Sequence, residues 1–242
     1  MKFFHFSLVA FLAAAFCLCA QQQPKTERTQ EGAVTPAIKD QNRHVKFLER
    51  IQEDNQIDLL FLGDSIMDGW PRGGEVTWLK FAPYKPADFG IGGDKTEHLL
   101  WRITNGELEG FKPKVVVIMI GTNNIRDDTK DKPEWVAGGV KKIVETVREK
   151  LPESKILLLA VFPRGEKNDP RQDIVKEINK EIVKLKLDQD SHVHYLDIGE
   201  AFLDSHGDIP SDVMPDKLHP SAKGYAIWYK AMQPTLDKLM QE

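Results

Sequence analysis

Residues 57–70, with the sequence IDLLFLGDSIMDGW, contain the pattern that decides the fold. The apolar run at 59–62 carries no charge, which is typical of a strand buried on both faces of a parallel sheet. Gly63, Asp64 and Ser65 end the run, so a serine hydroxyl follows the carboxyl end of a core strand. Open α/β sheets bind ligands at that edge. A catalytic role for the serine would also require a base and an oxyanion-stabilising pocket.

Strand patterns and amphipathic helix patterns alternate along the rest of the chain. Further strands are predicted at 87–89, 115–120, 155–161 and 193–196, with helical spacing between them and a last helix that begins near Ser221. This alternation is the pattern of an α/β fold, in which helices cover both faces of a parallel sheet. The length of 242 residues suits a single domain of this class.

Composition and motifs exclude several classes of function. The formal net charge is −4 and no long basic run occurs, so we expect no nucleic-acid partner. No phosphate loop is present, and Lys95 stands where the third glycine of a dinucleotide motif would fall. His192 and His194 would share one face of a strand, but no third metal ligand is evident, and surface histidines are the preferred interpretation. We therefore expect neither cofactor nor metal.

The first 20 residues have the pattern of a secretory signal. An early lysine precedes an apolar stretch that is short for a bilayer-spanning helix and is followed by glutamines. We predict a signal peptide over 1–20, export to the periplasm or beyond, and no transmembrane span in the mature protein. Both cysteines, Cys17 and Cys19, lie in this segment, which leaves a lipid-anchored form as an alternative.

The next segment, residues 21–40, is polar and proline-containing and shows no apolar period. Such a composition predicts a flexible tether. A single domain is then expected over 41–242.

Three predicted strands end in residues suited to acyl transfer. Ser65 follows the first, Gly93 lies after the second and Asn123 after the third. Because the carboxyl ends of parallel strands lie side by side, these residues are expected to meet at one cleft. Near the carboxyl terminus, Asp216 stands three residues before His219, in a turn from which the imidazole could reach the same edge.

Four blocks of sequence, in this order, resemble the SGNH, or GDSL, hydrolase family. They are GDSI at 63–66, FGIGGD at 89–94, GTNN at 121–124 and DKLH at 216–219. FGIGGD, the LLWR and NGELE after it, and VFPRGEK are especially similar to the branch with the catalytic subunit of intracellular platelet-activating-factor acetylhydrolase and its bacterial relatives. The resemblance implies a three-layer α/β/α sandwich with a mostly parallel, flavodoxin-like sheet of five strands.

The same resemblance implies a role for each site residue. Ser65 would be the nucleophile and His219 the general base, with Asp216 orienting the imidazole. The backbone N–H groups of Ser65 and Gly93 and the amide of Asn123 would form the oxyanion hole. The residue types suit these roles, because glycine lets the backbone approach a reacting oxygen and asparagine supplies a neutral donor. The chain is thus expected to be a serine esterase.

Trp70, Phe162 and Arg164 are candidate substrate contacts, with packing and a surface turn as the alternative roles. No connection has the length and apolar character of a lid, which favours a small acyl group, acetate above all. Together with export, this favours acetyl esters of carbohydrates, so the expected substrate is a small molecule or a glycan. A phospholipid or lysophospholipid acylhydrolase and a non-catalytic binding protein that uses the same cleft are the alternatives. The sequence does not indicate the oligomeric state.

Overall fold

The secondary structure is taken from a computed structural model, which describes residues 28–126 and 130–241. The strands are β1 (Leu59–Gly63), β2 (Pro86–Gly90), β3 (Val115–Met119), β4 (Lys155–Leu159) and β5 (Val193–Leu196). The helices are α1 (Gln30–Val34), α2 (Gln41–Glu53), α3 (Ser65–Asp68), α4 (Trp70–Gly73), α5 (Glu75–Trp78), α6 (Thr96–Thr104), α7 (Pro133–Lys150), α8 (Pro170–Lys184) and α9 (Ala222–Gln241). Short 3-10 helices lie at Leu79–Tyr84, Thr122–Ile125, Leu187–Gln189 and Gly199–Phe202.

The five strands form one parallel sheet in the order β2-β1-β3-β4-β5. At the end of β1, Gly63 is in register with Gly90 of β2 and Met119 of β3. This is the flavodoxin-like order, in which the chain reverses direction of winding between β1 and β3. The predicted α/β class is confirmed. Ser65, the residue after the β1 turn, lies at this switch point.

Each central strand is buried on both faces because alternate side chains enter two separate apolar clusters. Leu60 and Leu62 belong to the cluster beneath α2, α6, α7 and α8. Leu59 and Phe61 belong to the cluster beneath α3, α4 and α9. All residues of β1 and β3 are buried, which explains their unbroken apolar runs.

Two of the candidate substrate contacts, Trp70 and Phe162, are core residues. Trp70 is 0% exposed, and its ring lies 4.6 Å from that of Tyr225 and 4.7 Å from that of Trp228. Phe162 is 2% exposed and packs against Phe202 and Trp228. The expectation of substrate contact is wrong for both aromatic residues, because α9 covers them and burial of their large apolar surface stabilises the fold.

Residues 28–40, which we name the arm, pack against the domain. Its helix α1 contacts α6 and α7, and Ala33 is fully buried. The Thr96 hydroxyl donates to the Ala33 carbonyl at 2.9 Å. The flexible tether predicted over 21–40 is therefore wrong for the arm, because a polar segment can dock through hydrogen bonds and ion pairs without an apolar period. Residues 21–27 lie outside the described residues.

No helix within the two described ranges is long and apolar enough to cross a membrane. The signal peptide predicted over 1–20, with Cys17 and Cys19, lies outside these ranges.

Gly139 marks the closest approach of α7 to the arm. A methyl group added there would lie 2.6 Å from the Thr96 side chain and 2.7 Å from the Ala33 carbonyl oxygen. We expect Gly139→Ala to lower the free energy of unfolding by about 1–3 kcal/mol, because the packed neighbours must move apart. Chemical or thermal unfolding followed by circular dichroism measures this change.

Gly138→Ala is the matched control on the same helix. Its added methyl group would meet only Val34, at an ordinary 3.7 Å. Alanine is more favourable than glycine in a helix interior. We therefore expect the free energy of unfolding of this variant to equal that of the parent or to exceed it by about 0.5–1 kcal/mol. Equal losses in the two variants would contradict close packing of α7 on the arm.

Candidate active site

The structure brings Ser65, His219 and Asp216 together at the carboxyl edge of the sheet. Ser65 Oγ lies 2.9 Å from His219 Nε2 although the two residues are 154 positions apart. His219 Nδ1 lies 2.6 Å from Asp216 Oδ2. With the Nδ1 proton donated to the carboxylate, Nε2 is the ring nitrogen left to accept the serine proton. The arrangement has the geometry of an activated nucleophile.

A tight turn presents the imidazole. Asp216 Oδ1 accepts the backbone N–H groups of Leu218 and His219 at 3.1 and 2.7 Å. Lys217, between Asp216 and Leu218, is left-handed, with a φ of 58°. The Lys217 carbonyl accepts the Gly165 N–H at 2.8 Å, which anchors the turn. Partial burial acts to raise the pKa of Asp216, but the hydrogen bonds from the His219 ring and backbone outweigh it and lower this pKa. The carboxylate is therefore held ionised beside the imidazole.

Close backbone packing holds the nucleophile turn. Asp64 Oδ1 accepts the Ile66 N–H at 3.0 Å and so caps the short helix α3. A methyl group added at Gly90 would lie 2.2 Å from the Asp68 nitrogen and 2.8 Å from the Asp64 carbonyl, so no side chain fits there. From α9, the Tyr225 hydroxyl donates to the Ile66 carbonyl at 2.7 Å. The turn is thus clamped between β2 and α9.

The loop after β2 lies beside the nucleophile. A methyl group added at Gly92 would lie 3.8 Å from Ser65 Cβ. Gly93 has a φ of 76°, in the left-handed region that favours glycine. Among the hydrogen bonds of residues 28–126 and 130–241, none uses the Gly93 N–H. Asn123 Nδ2 donates to the Asp94 carbonyl at 3.0 Å, so the loops that carry the expected oxyanion donors touch each other.

A buried charge network supports this loop. Asp94 is 1% exposed, and its Oδ2 accepts Arg102 Nε at 2.9 Å. Arg102 also pairs with buried Glu107 and donates to the Gly63 carbonyl at 3.3 Å, which ties the loop to the end of β1. Burial raises the pKa of Asp94, while the Arg102 and Lys39 cations oppose the shift. Arg102 lies in the LLWR block, but no feature of the sequence marks it or Lys39 as part of this network.

Two further residues support the turn that carries Asn123. Asn124 accepts the Thr96 N–H at 3.1 Å and donates to Asp131 at 2.9 Å. Arg164 is 6% exposed and donates through Nη1 to the Thr122 carbonyl and hydroxyl at 2.7 and 3.0 Å. The expected substrate contact is therefore wrong for Arg164, whose guanidinium is turned inward to satisfy a buried carbonyl.

Ser65 and His219 face an open surface. Ser65 is half-buried, and the His219 side chain is 43% exposed. A cavity of about 260 Å³ lies at the ends of β4 and β5, beside Val161, Asn179 and Asp197, and is lined by neither residue. Across the two described ranges, no group of three His, Cys, Asp or Glu residues is arranged to hold a metal ion.

Known proteins share this sequence pattern. The GDSL-like lipase/acylhydrolase family matches residues 61–227. The chain belongs to this family. This GDSL-like protein is accordingly a carboxylic ester hydrolase. The matched residues include all four blocks identified in the sequence.

Curated relatives of this GDSL-like hydrolase cover most of its length. Platelet-activating factor acetylhydrolase IB subunit alpha2 of Rattus norvegicus is 38% identical over 190 residues, which are 78% of this chain and 80% of the relative. Subunit alpha1 of Homo sapiens is 36% identical over the same shares of the two chains.

Solved structures share the fold. A GDSL-like lipase from Bacteroides thetaiotaomicron has a TM-score of 0.62 at 20% identity and covers 81% of this chain and 98% of its own. A carbohydrate acetylesterase from Sinorhizobium meliloti has a TM-score of 0.60 at 18% identity, over 76% and 99%. At these identities the likeness concerns the fold alone.

The relatives overturn the predicted export. The sequence favoured an exported GDSL-like hydrolase, soluble or lipid-anchored through Cys17 or Cys19. The acetylhydrolase subunits among its relatives are intracellular proteins, which contradicts the prediction of export. The prediction failed because a short apolar run is not specific: hydropathy does not separate a secretory signal from an apolar segment that is retained.

Asp64, next to Ser65, is fully buried, and its Oδ2 has no hydrogen-bond partner within the described ranges. Burial raises the pKa of Asp64 to about 7, although the hydrogen bond from Ile66 opposes the shift. The folded protein thus retains this proton in a pH range where the unfolded chain has released it.

We expect the parent to lose stability relative to Asp64→Asn as the pH rises from about 4 to about 7, because the unfolded chain releases the Asp64 proton in this range while the folded protein keeps it. The asparagine keeps the acceptor for Ile66 but cannot ionise. The difference between 3.8 and about 7 corresponds to about 4 kcal/mol at most. Thermal unfolding of both proteins across this range measures it. Parallel pH profiles would show that Asp64 carries no such proton.

Proposed function

We propose that this hydrolase is a serine esterase that removes short acyl groups, acetyl foremost, with Ser65 as nucleophile, His219 as general base and Asp216 as its orienting partner. The observation that carries the proposal is the continuous hydrogen-bonded line from Ser65 Oγ through the imidazole to the carboxylate, at 2.9 and 2.6 Å. A binding protein would have no need of a hydroxyl aligned in this way.

The proposed reaction is acyl transfer through a covalent acyl-enzyme. Ser65 Oγ attacks the ester carbonyl as its proton moves to His219 Nε2, and the C–O bond to the alcohol breaks as Nε2 returns that proton to the leaving oxygen. Water then attacks the acyl-enzyme while His219 accepts its proton. The acid leaves, and the proton returns to Ser65 Oγ. The ionised Asp216 stabilises the imidazolium that forms twice in the cycle.

The oxyanion hole of the proposed mechanism consists of the N–H groups of Ser65 and Gly93 and the amide of Asn123. The unused Gly93 N–H supports this assignment, as does the Asn123 amide, which has one proton bonded to the Asp94 carbonyl and a second to donate. The bond to Asp94 restrains the amide, so little reorganisation is needed when charge develops.

The substrate is proposed to carry a small acyl group because Ser65 is only half-buried and the His219 side chain is 43% exposed, so the site opens to solvent. The alcohol part of the ester is less well indicated. Carbohydrate esters remain the first candidate, but the predicted export no longer supports them. Relatives at 36–38% identity are named as acetylhydrolases of platelet-activating factor, which favours the acetyl ester of a phospholipid as a second candidate. Both candidates share acetyl removal, so the acyl group can be tested first.

We expect hydrolysis of p-nitrophenyl esters to fall from acetate to butyrate to octanoate, because a site open to solvent buries little of a longer acyl chain. Ser65→Ala should lower kcat for acetate by at least about 10³-fold, since it removes the nucleophile. Initial rates with both proteins at matched concentrations measure these effects. Rates that rise with acyl length would favour a lipid acylhydrolase, and a variant as active as the parent would favour a binding protein.

We expect Asn123→Ala to lower kcat by about 10²–10³-fold, because it removes an oxyanion donor. Asn179→Ala is the matched control, since Asn179 also bonds backbone groups, those of Val161 at 2.9 Å, but lies on α8 away from Ser65. Steady-state kinetics with p-nitrophenyl acetate compare the two. Equal losses would mean that Asn123 acts only through stability.

A further inference from the structure

The arm is fastened to both loops of the proposed oxyanion hole. At its start, Arg28 donates to Asp131 at 2.6 and 2.8 Å and to Glu97 at 2.8 Å. Buried Asn124 bonds the same Asp131 carboxylate at 2.9 Å. The hydrogen bond to Asp131 is the main cause of a raised Arg28 pKa, so the guanidinium is a permanent charge in this contact. The arm is thus anchored next to the turn that carries Asn123.

At its other end, the arm reaches the glycine loop through Lys39. Its Nζ donates to the Gly92 carbonyl at 2.5 Å and to Asp94 Oδ1 at 3.2 Å. A methyl group added at Gly93 would lie 3.6 Å from Lys39 Cε and 3.7 Å from Nζ. The ammonium group therefore lies directly against the loop, with 31% of the Lys39 side chain exposed.

The contact with Gly92 determines the direction of the next N–H. The Gly92 carbonyl and the Gly93 N–H belong to one planar peptide group and point in opposite directions. A group that holds the carbonyl oxygen therefore also fixes where the N–H points. Glycine on both sides of this peptide restricts its backbone angles little, so a contact from outside the loop adds to the restraint that the Asp94 N–H bond to the Ile91 carbonyl provides.

The contact with Asp94 acts on the second donor. The Asp94 backbone carbonyl accepts the Asn123 amide, while its carboxylate is held between Arg102 and Lys39. Lys39 thus restrains the residue that orients Asn123 as well as the peptide that contains the Gly93 N–H. The other cation, Arg102, is 2% exposed and belongs to the domain, whereas Lys39 comes from the arm.

We propose, on the basis of the oxyanion hole in the proposed function, that the arm is part of the active site and that Lys39 is a positioning residue for the Gly93 N–H and the Asn123 amide. The arm lies outside residues 61–227, which match the family. The arm therefore adds contacts to the site from outside the residues that match the family. Lys39 acts through the loop and does not itself touch the substrate.

The test compares Lys39→Met with Lys39→Arg and with Lys46→Met, in which an exposed lysine of α2 is changed. With p-nitrophenyl acetate, Lys39→Met should lower kcat about tenfold, because a small displacement of a catalytic group has a large effect on rate. KM should change by less than about twofold, since the loss arises in the transition state. Lys39→Arg should recover most of the rate, and Lys46→Met should match the parent.

Hydrogen exchange followed by mass spectrometry supplies a readout that does not depend on esterase activity. The Asp94 N–H is bonded to the Ile91 carbonyl at 3.1 Å, and we expect it to exchange faster in Lys39→Met than in the parent or Lys46→Met. Unchanged exchange in the peptide that contains residues 91–94 would overturn the positioning role whatever the activity. Faster exchange with parental kcat would overturn its importance for turnover. A failure of the proposed function would be detected separately: Ser65→Ala would then be as active as the parent.

Discussion

The arrangement of the site depends on the ion pairs that hold the buried carboxylate of Asp94. This carboxylate is held by Arg102 and Lys39, and the Asp94 backbone carbonyl holds the Asn123 amide. Removing one partner from a buried ion pair costs about 3–5 kcal/mol, because the remaining charge is left without compensation. An exposed pair contributes only about 0–1 kcal/mol. The Arg102–Asp94 pair, whose side chains are 3% and 1% exposed, is of the stronger kind, whereas Lys39 is 31% exposed and adds a weaker contact to the same carboxylate.

The two halves of the Ser65–His219 pair are held by different forces. Ser65 lies in a turn fixed by buried backbone contacts with β2 and α9, where even a methyl group at Gly90 has no space. His219 is held by a hydrogen-bonded turn whose Asp216 and His219 side chains are 55% and 43% exposed. Water competes for such an exposed pair, so the orientation of the imidazole relies on the turn as much as on the carboxylate. Packing therefore restrains Ser65 more tightly than His219, which is open to solvent.

The sequence predicted structure best where a pattern of residues has only one structural explanation. Unbroken apolar runs predicted β1 and β3 because strands covered on both faces bury every side chain. It predicted least well where the same residue type serves two purposes. Trp70 and Phe162 come after strand ends, where substrate contacts are expected. Both are instead buried in the apolar core beneath α9. The apolar first 20 residues suggested export, which the relatives contradict.

By itself, the sequence determined the α/β class, the strand ends that carry the polar blocks, and the residues from which a nucleophile, a base and oxyanion donors could be drawn. These are local properties, expressed in apolar periodicity and in short motifs. Only the tertiary structure decided that Lys39, from a segment that is polar and without periodicity, lies against Gly92 and Asp94. It alone decided that Arg164 turns inward. A long charged side chain has many partners within reach, and its choice depends on which backbone groups folding leaves buried and unpaired, information that no local pattern contains.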